Sequence, residues 1–199
     1  MKLYDGARSG NCHKVRLLLS MLGLEWEAIP AGSTGMDTKS PEFLALNPRG
    51  QIPTLDDDGL VVWDSQAILV YLARRYGDER WLPLEPAPMA EVMQWMAVSE
   101  NELLYGLSKA RAILKFGRAG DLAAVQALAH VGLKAMETRL ATADWLALDH
   151  PTIADLACFP YVAKAHEGEV PLDPYPAVVA WVKRIEALPG FVPMADIGA

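Results

Sequence analysis

The hydrophobic pattern changes character once along the chain. In the first part, short segments of different period alternate. "KLYD" is a brief β-like run, and "HKVRLLLSMLG" puts Val15, Leu18, Leu19 and Leu22 on one helical face, with Gly23 as a natural C-terminal stop. "LEWEAI" alternates and predicts a strand, after which residues 30–39 read as loop. "SPEFLALN" predicts a short helix with Ser40 as N-cap and Pro41 at its first position, ended by the turn-forming "NPRG". "QIPTL" and "LVVW" flank "DDDG", whose Asp-Gly ending signals a hairpin. "DSQAILVYLARRYG" is then an amphipathic helix closed by Gly77. The order is βαβ followed by αββα.

"DERWLPLEPAP", residues 78–88, carries repeated prolines without periodicity and reads as a linker. Beyond it every substantial segment predicts helix: "MAEVMQWMAVSENELLYGLSKARAILKF", "DLAAVQALAHVGLKAMETRLA", "TIADLACFPYVAKAH" and "YPAVVAWVKRIEAL". The expectation is a small α/β domain over 1–77, a linker over 78–88 and an all-helical domain over 89–199.

Composition narrows the function classes. A hydrophobic fraction of 52% supports a packed core. No apolar stretch reaches the ~20 residues of a membrane span, and "MKLYDGARSG" has no continuous apolar region of a signal peptide. Cys12 and Cys158 make no disulfide framework, so a cytoplasmic protein is expected. The net charge of −7, without a basic run, argues against nucleic acid and membrane as partners.

Three stretches carry candidate chemistry, each beside a purely structural reading, and a fourth is structural alone. In "SGNC", Ser9 and Cys12 stand at a strand-to-helix turn, where Ser9 reads as a helix cap or as a polar group aimed at a ligand. In "QIPTL", Pro53 either opens a strand or is a cis proline that turns the Ile52 backbone outward to bind a peptide as an added strand. Asp64 and Ser65 open a helix; they cap it, or they receive an α-amino acid end, with the helix N-terminus holding its carboxylate and Asp64 its ammonium. In "TIAD", Thr152 and Asp155 form a capping box whose role is folding.

Taken together, "SGNCHKVRLLLSMLGLEWE", "EFLALNPRGQIPTL", "DSQAILVYLARRYG" and "TIADLACFPYV" resemble, in order and spacing over nearly the whole chain, a cytosolic glutathione S-transferase of bacterial type, related to the serine-dependent classes. The resemblance implies a thioredoxin-like N-terminal domain that binds glutathione as cosubstrate, an α-helical C-terminal domain and a homodimer. By position, it implies that Ser9 is the catalytic hydroxyl. Ile52, before Pro53, would meet the cysteinyl part of glutathione, Asp64 and Ser65 the γ-glutamyl end, and Gln51, assisted by Lys39, the glycine end. Asp64 stands where many members carry Glu. Thr152 and Asp155 match the family's folding cap.

The chemistry asked of Ser9 is modest. A thiol with a pKa near ~8.5 is a few per cent thiolate at neutral pH. Lowering that by about two units requires ~2.7 kcal/mol of preference for the anion. One charge-assisted hydrogen bond supplies about 1.5–3 kcal/mol, and a helix N-terminus about 0.3–1 kcal/mol. Ser9 is then a donor to the sulfur of glutathione and needs no partnered histidine. Asn11 and Cys12 are the alternatives: Asn11 as a second polar contact, Cys12 as a thiolate favoured on the first helical turn or as a packed residue. His13 and Lys14 read as helix-surface residues. The electrophile's site is expected between the domains, with Tyr105 and Arg111 as candidates. Arg111 either binds an anionic substrate or forms a surface ion pair with Glu100, Glu102 or another acid. Trp63, Trp95 and Trp181 read as core. The leading function is addition of the glutathione thiolate to a small electrophile. A glutathione-dependent isomerase, lyase or disulfide reductase, and a non-catalytic binding protein, are the alternatives.

Overall fold

The fold is described from a computed structural model, over residues 1–194. Strand β1 (Lys2–Asp5) runs into helix α1 (Gly10–Met21), which crosses over to β2 (Glu27–Pro30), parallel to β1. After α2 (Pro41–Leu46), β3 (Thr54–Asp57) pairs antiparallel with β1, and β4 (Leu60–Trp63) pairs antiparallel with β3. The sheet order is β2-β1-β3-β4, closed by α3 (Ser65–Arg75), which is a thioredoxin-like arrangement. The β3–β4 turn has Asp58 at φ 52° and Gly59 at φ 94°, the paired positive φ values of a tight hairpin turn, which is why the Asp-Gly pair stands there.

Helix α4 (Pro86–Val98) starts inside the segment expected to be linker. Proline at the first helical position loses no hydrogen bond, and the Glu85 carboxylate accepts from the Ala87 amide at 3.0 Å. The chain continues without a break through a π-helical stretch, Ser99–Ser108, into α5 (Lys109–Phe116). Helices α6 (Leu122–Leu140), α7 (Ile153–Ala163) and α8 (Pro176–Glu186) complete the helical part. Among the described residues no helix is long and apolar enough to cross a membrane.

Helix α7 positions everything else. It packs against α1 and α4, and its side chains are buried along most of its length. Its capping box forms, and the Asp155 carboxylate also accepts from the Leu146 amide (3.0 Å) and the Trp181 indole (2.9 Å). Because α3 covers one side of α1 and α7 another, α1 is enclosed beyond its apolar face. His13 and Lys14 are therefore fully buried, and the reading of both as surface residues is overturned. Trp181 is core as expected, whereas Trp63 on the edge strand β4 is exposed.

Candidate functional site

The cleft between the sheet domain and the helices holds two adjoining cavities. The first, of about 430 Å³, is bounded by the loop before β3, the start of α3 and the π-helical stretch. Asn11, Gln51, Ile52, Pro53, Asp64, Ser65 and Tyr105 all line it. The Ile52–Pro53 peptide is cis, and Asn47 braces the loop by donating to the Gln51 carbonyl at 2.7 Å and to the Thr54 hydroxyl at 3.2 Å. Asp64 sits at φ 76°, a left-handed conformation that costs a non-glycine residue energy and is found where a site demands it. Its carboxylate caps α3 by accepting from the Gln66 amide (3.0 Å), while its other oxygen accepts from Arg49 (2.8 Å).

Among the described residues two acidic groups face this cavity, because Glu100 lines it as well. Glu100 accepts from the Gln66 amide side chain at 2.9 Å and pairs with Lys14 at 3.5 Å. Burial pushes the Lys14 ammonium below its ordinary pKa, and Glu100 opposes that shift. Lys39 does not reach the cavity. Its ammonium donates to the carbonyls of Gly50 (2.9 Å) and Arg49 (3.2 Å), so it braces the loop instead of meeting the glycine end of a ligand.

At the start of α1 both readings of Ser9 hold together. Ser9 is the N-cap, accepting from the Cys12 amide at 3.3 Å. A hydroxyl that accepts through its oxygen still has its proton to donate. Cys12, by contrast, is fully buried, and desolvation with the Asp5 charge pushes its thiol up to about 12. Of the two readings of Cys12, the packed residue is supported and the thiolate of the first helical turn is not: loss of water outweighs the helix terminus. Among the described residues the Asn11 side-chain oxygen is buried without a hydrogen-bond partner.

The second cavity, of about 500 Å³, has Ser9 on its wall and shares Ile52, Ser108, Ala112 and Tyr161 with the first. Tyr161, on α7, was missed in the sequence because it lies inside an apolar helix. Its ring packs so closely on the α1 start that a Cβ at Gly10 would lie 2.5 Å from Cε1 and 2.7 Å from Cζ. Burial raises its pKa, against hydrogen bonds from Ser108 and the Asn11 backbone amide. Arg111 lines this cavity but is buried and ion-paired with Glu167, and it donates to the Arg8 carbonyl at 2.8 Å. The expected ion pair with Glu100, Glu102 or another acid is made with Glu167, and it is buried, not on the surface. The turn Ala165–Gly168 lies against α5, where a Cβ at Gly168 would be 3.0 Å from that of Ala110, and this approach brings Glu167 to Arg111.

Ser9, the cis Ile52–Pro53 peptide and the positive-φ Asp64 thus border one cleft between a thioredoxin-like domain and a helical one. Residues 8–75 match the profile described as glutathione S-transferase, N-terminal domain, and residues 92–189 that of the C-terminal domain. Glutathione S-transferase D7 of Anopheles gambiae is 34% identical over 184 residues, covering 92% of this chain and 84% of that one. The chain belongs to the glutathione S-transferase family. Glutathione S-transferase GstB of Escherichia coli is 30% identical, covering 94% of this transferase and 93% of its own length. A glutathione S-transferase crystal structure from Pseudomonas fluorescens superposes with a TM-score of 0.91 at 35% identity, covering 98% of both chains. The transferase therefore carries the family's two-part architecture complete, with the cleft between the parts.

Proposed function

We propose that the protein is a serine-dependent glutathione transferase that conjugates glutathione, its cosubstrate, to a small electrophile. The observation that carries this reading is the Ser9 hydroxyl: it caps α1 through its oxygen, keeps the proton of a hydroxyl, and stands on the wall of the second cavity beside the shared residues Ile52 and Tyr161. Glutathione lies along the first cavity. Its γ-glutamyl carboxylate meets Ser65 at the α3 N-terminus, and its ammonium meets Asp64 and Glu100. The Ile52 backbone pairs with the cysteinyl unit as an added strand does, and Gln51 contacts the glycine end. The sulfur is thereby directed toward Ser9.

The thiol loses its proton to water, and Ser9 donates to the resulting anion. The thiolate attacks the electrophilic carbon in the second cavity; the C–S bond forms and the leaving group departs with its electron pair. The α1 N-terminus and the Asn11 side chain add polar stabilisation close to the sulfur.

The protein is proposed to work in the cytoplasm as a homodimer. Support for the dimer comes from exposed apolar side chains on β4 and α4, Leu60, Trp63 and Met93, and light scattering after gel filtration tests it. The activity itself is tested by retention on glutathione-agarose followed by conjugation of an activated aryl halide. Retention with turnover supports the reading, whereas retention without turnover on several electrophiles indicates a binding protein.

A further inference from the structure

The second cavity is cationic in an acidic protein. The chain carries a net charge of −7, yet Arg8, Arg111 and Arg118 line this cavity and, among the described residues, no acidic side chain does. The charge of Arg111 is met by Glu167. Arg8 and Arg118 are exposed, and among the described residues neither is ion-paired. Arg8 is nonetheless held in place: its carbonyl accepts from Arg111, and its guanidinium lies 5.7 Å from the centre of the Phe116 ring. The opening thus combines an apolar surface, from Phe116, Ala112 and Ile52, with two uncompensated guanidinium groups. Guanidinium is planar, permanently charged and shaped for bidentate contact with a carboxylate.

We propose that the electrophile this enzyme takes is a small aromatic carboxylate, its ring against the apolar wall of Ile52 and Ala112 beside Phe116, whose ring Arg8 and Arg111 already approach, and its carboxylate on Arg8 and Arg118. Arg111 lies deeper, buried and paired with Glu167, with its Nη2 without a hydrogen-bond partner among the described residues, whereas Arg8 and Arg118 stand exposed at the mouth. The inference rests on the glutathione transferase reading above, since it assigns the second cavity to the electrophile.

The test uses two conjugates of equal shape that differ by one charge: S-(4-carboxy-2-nitrophenyl)glutathione and its carboxamide analogue. Binding of each is measured by titration calorimetry for the wild type and for Arg8→Gln/Arg118→Gln, at low salt and at about 0.5 M salt, where exposed charges are screened. The acid is expected to bind about tenfold tighter than the amide to the wild type. That preference shrinks at high salt and disappears in the double variant, whose fold is checked by circular dichroism. Equal binding of acid and amide to the wild type overturns the proposal and leaves the glutathione reading standing. A preference that survives in the double variant overturns the assignment to these arginines. If neither conjugate binds the wild type, both readings fall.

Discussion

The Ser9 hydroxyl accepts the Cys12 amide hydrogen at 3.3 Å, so one side chain ends the loop, starts α1 and keeps a proton to give away. Replacement by alanine removes both functions. Loss of the cap is expected to cost about 0.5–2 kcal/mol of stability, and loss of the donor about 1.5–3 kcal/mol of thiolate stabilisation. Ser9→Ala is therefore expected to lower turnover by about 10- to 150-fold and to raise the pKa of bound glutathione by one to two units or so. Ultraviolet titration of the thiolate in the binary complex reads that pKa directly, and an unmoved value transfers the role to Asn11.

Gly10 is required by Tyr161, not by its own backbone. A methyl group there meets the phenol ring at 2.5 Å, and overpacking of this kind costs about 1–3 kcal/mol. Gly10→Ala is expected to lower the urea midpoint. Because the penalty comes from one contact, it is expected to shrink in a Tyr161→Ala background, and a double-mutant cycle measures the coupling. An additive pair of effects would show that Gly10 answers to something other than the ring.

Cys12 is expected to resist alkylation. Its thiol is buried and pushed up to about 12, so little thiolate exists at pH 8 and no reagent reaches it. Mass spectrometry after iodoacetamide treatment is expected to find Cys12 modified only once denaturant opens the fold. Rapid labelling of the native protein would restore Cys12 as a candidate for chemistry.

His13 ties the chain end to α1, its imidazole meeting the Val192 carbonyl at 2.8 Å. Desolvation lowers its pKa from 6.5 to about 4. Between those values the unfolded chain binds the proton and the folded one does not, so stability rises with pH through this window and is lost as pH falls through it. The loss amounts to about 3 kcal/mol. Urea unfolding across pH 4–7 checks it, and His13→Gln is expected to flatten the slope.

Asp155 gathers the Leu146 and Thr152 amides and the Trp181 indole at the start of α7. Asp155→Ala leaves these buried donors unmet, with an expected cost of about 3–5 kcal/mol. Because α7 supports α1, a drop in folded yield and in the thermal midpoint is expected, with any folded fraction keeping its affinity for glutathione-agarose.

Local rules made the elements readable from the sequence alone. The period of Val15, Leu18 and Leu22 marks α1, Asp58-Gly59 marks the hairpin, and Ser9, Ser40, Asp64 and Thr152 each cap the helix that follows them. These signals lie within a few residues of what they determine, and the resemblance implied roles for Ile52, Pro53, Asp64 and Ser65, which line one cavity. Periodicity says that a helix has an apolar face; it does not say what covers the others. Only the packing of α7 and α3 around α1 buried Cys12, His13 and Lys14. Only the tertiary fold paired Arg111 with Glu167, set Tyr161 against Gly10, and left Arg8 and Arg118 uncompensated at the mouth of the cleft. Those relationships join residues far apart in the chain, and burial and charge at such contacts depend on three-dimensional neighbours that no local pattern records.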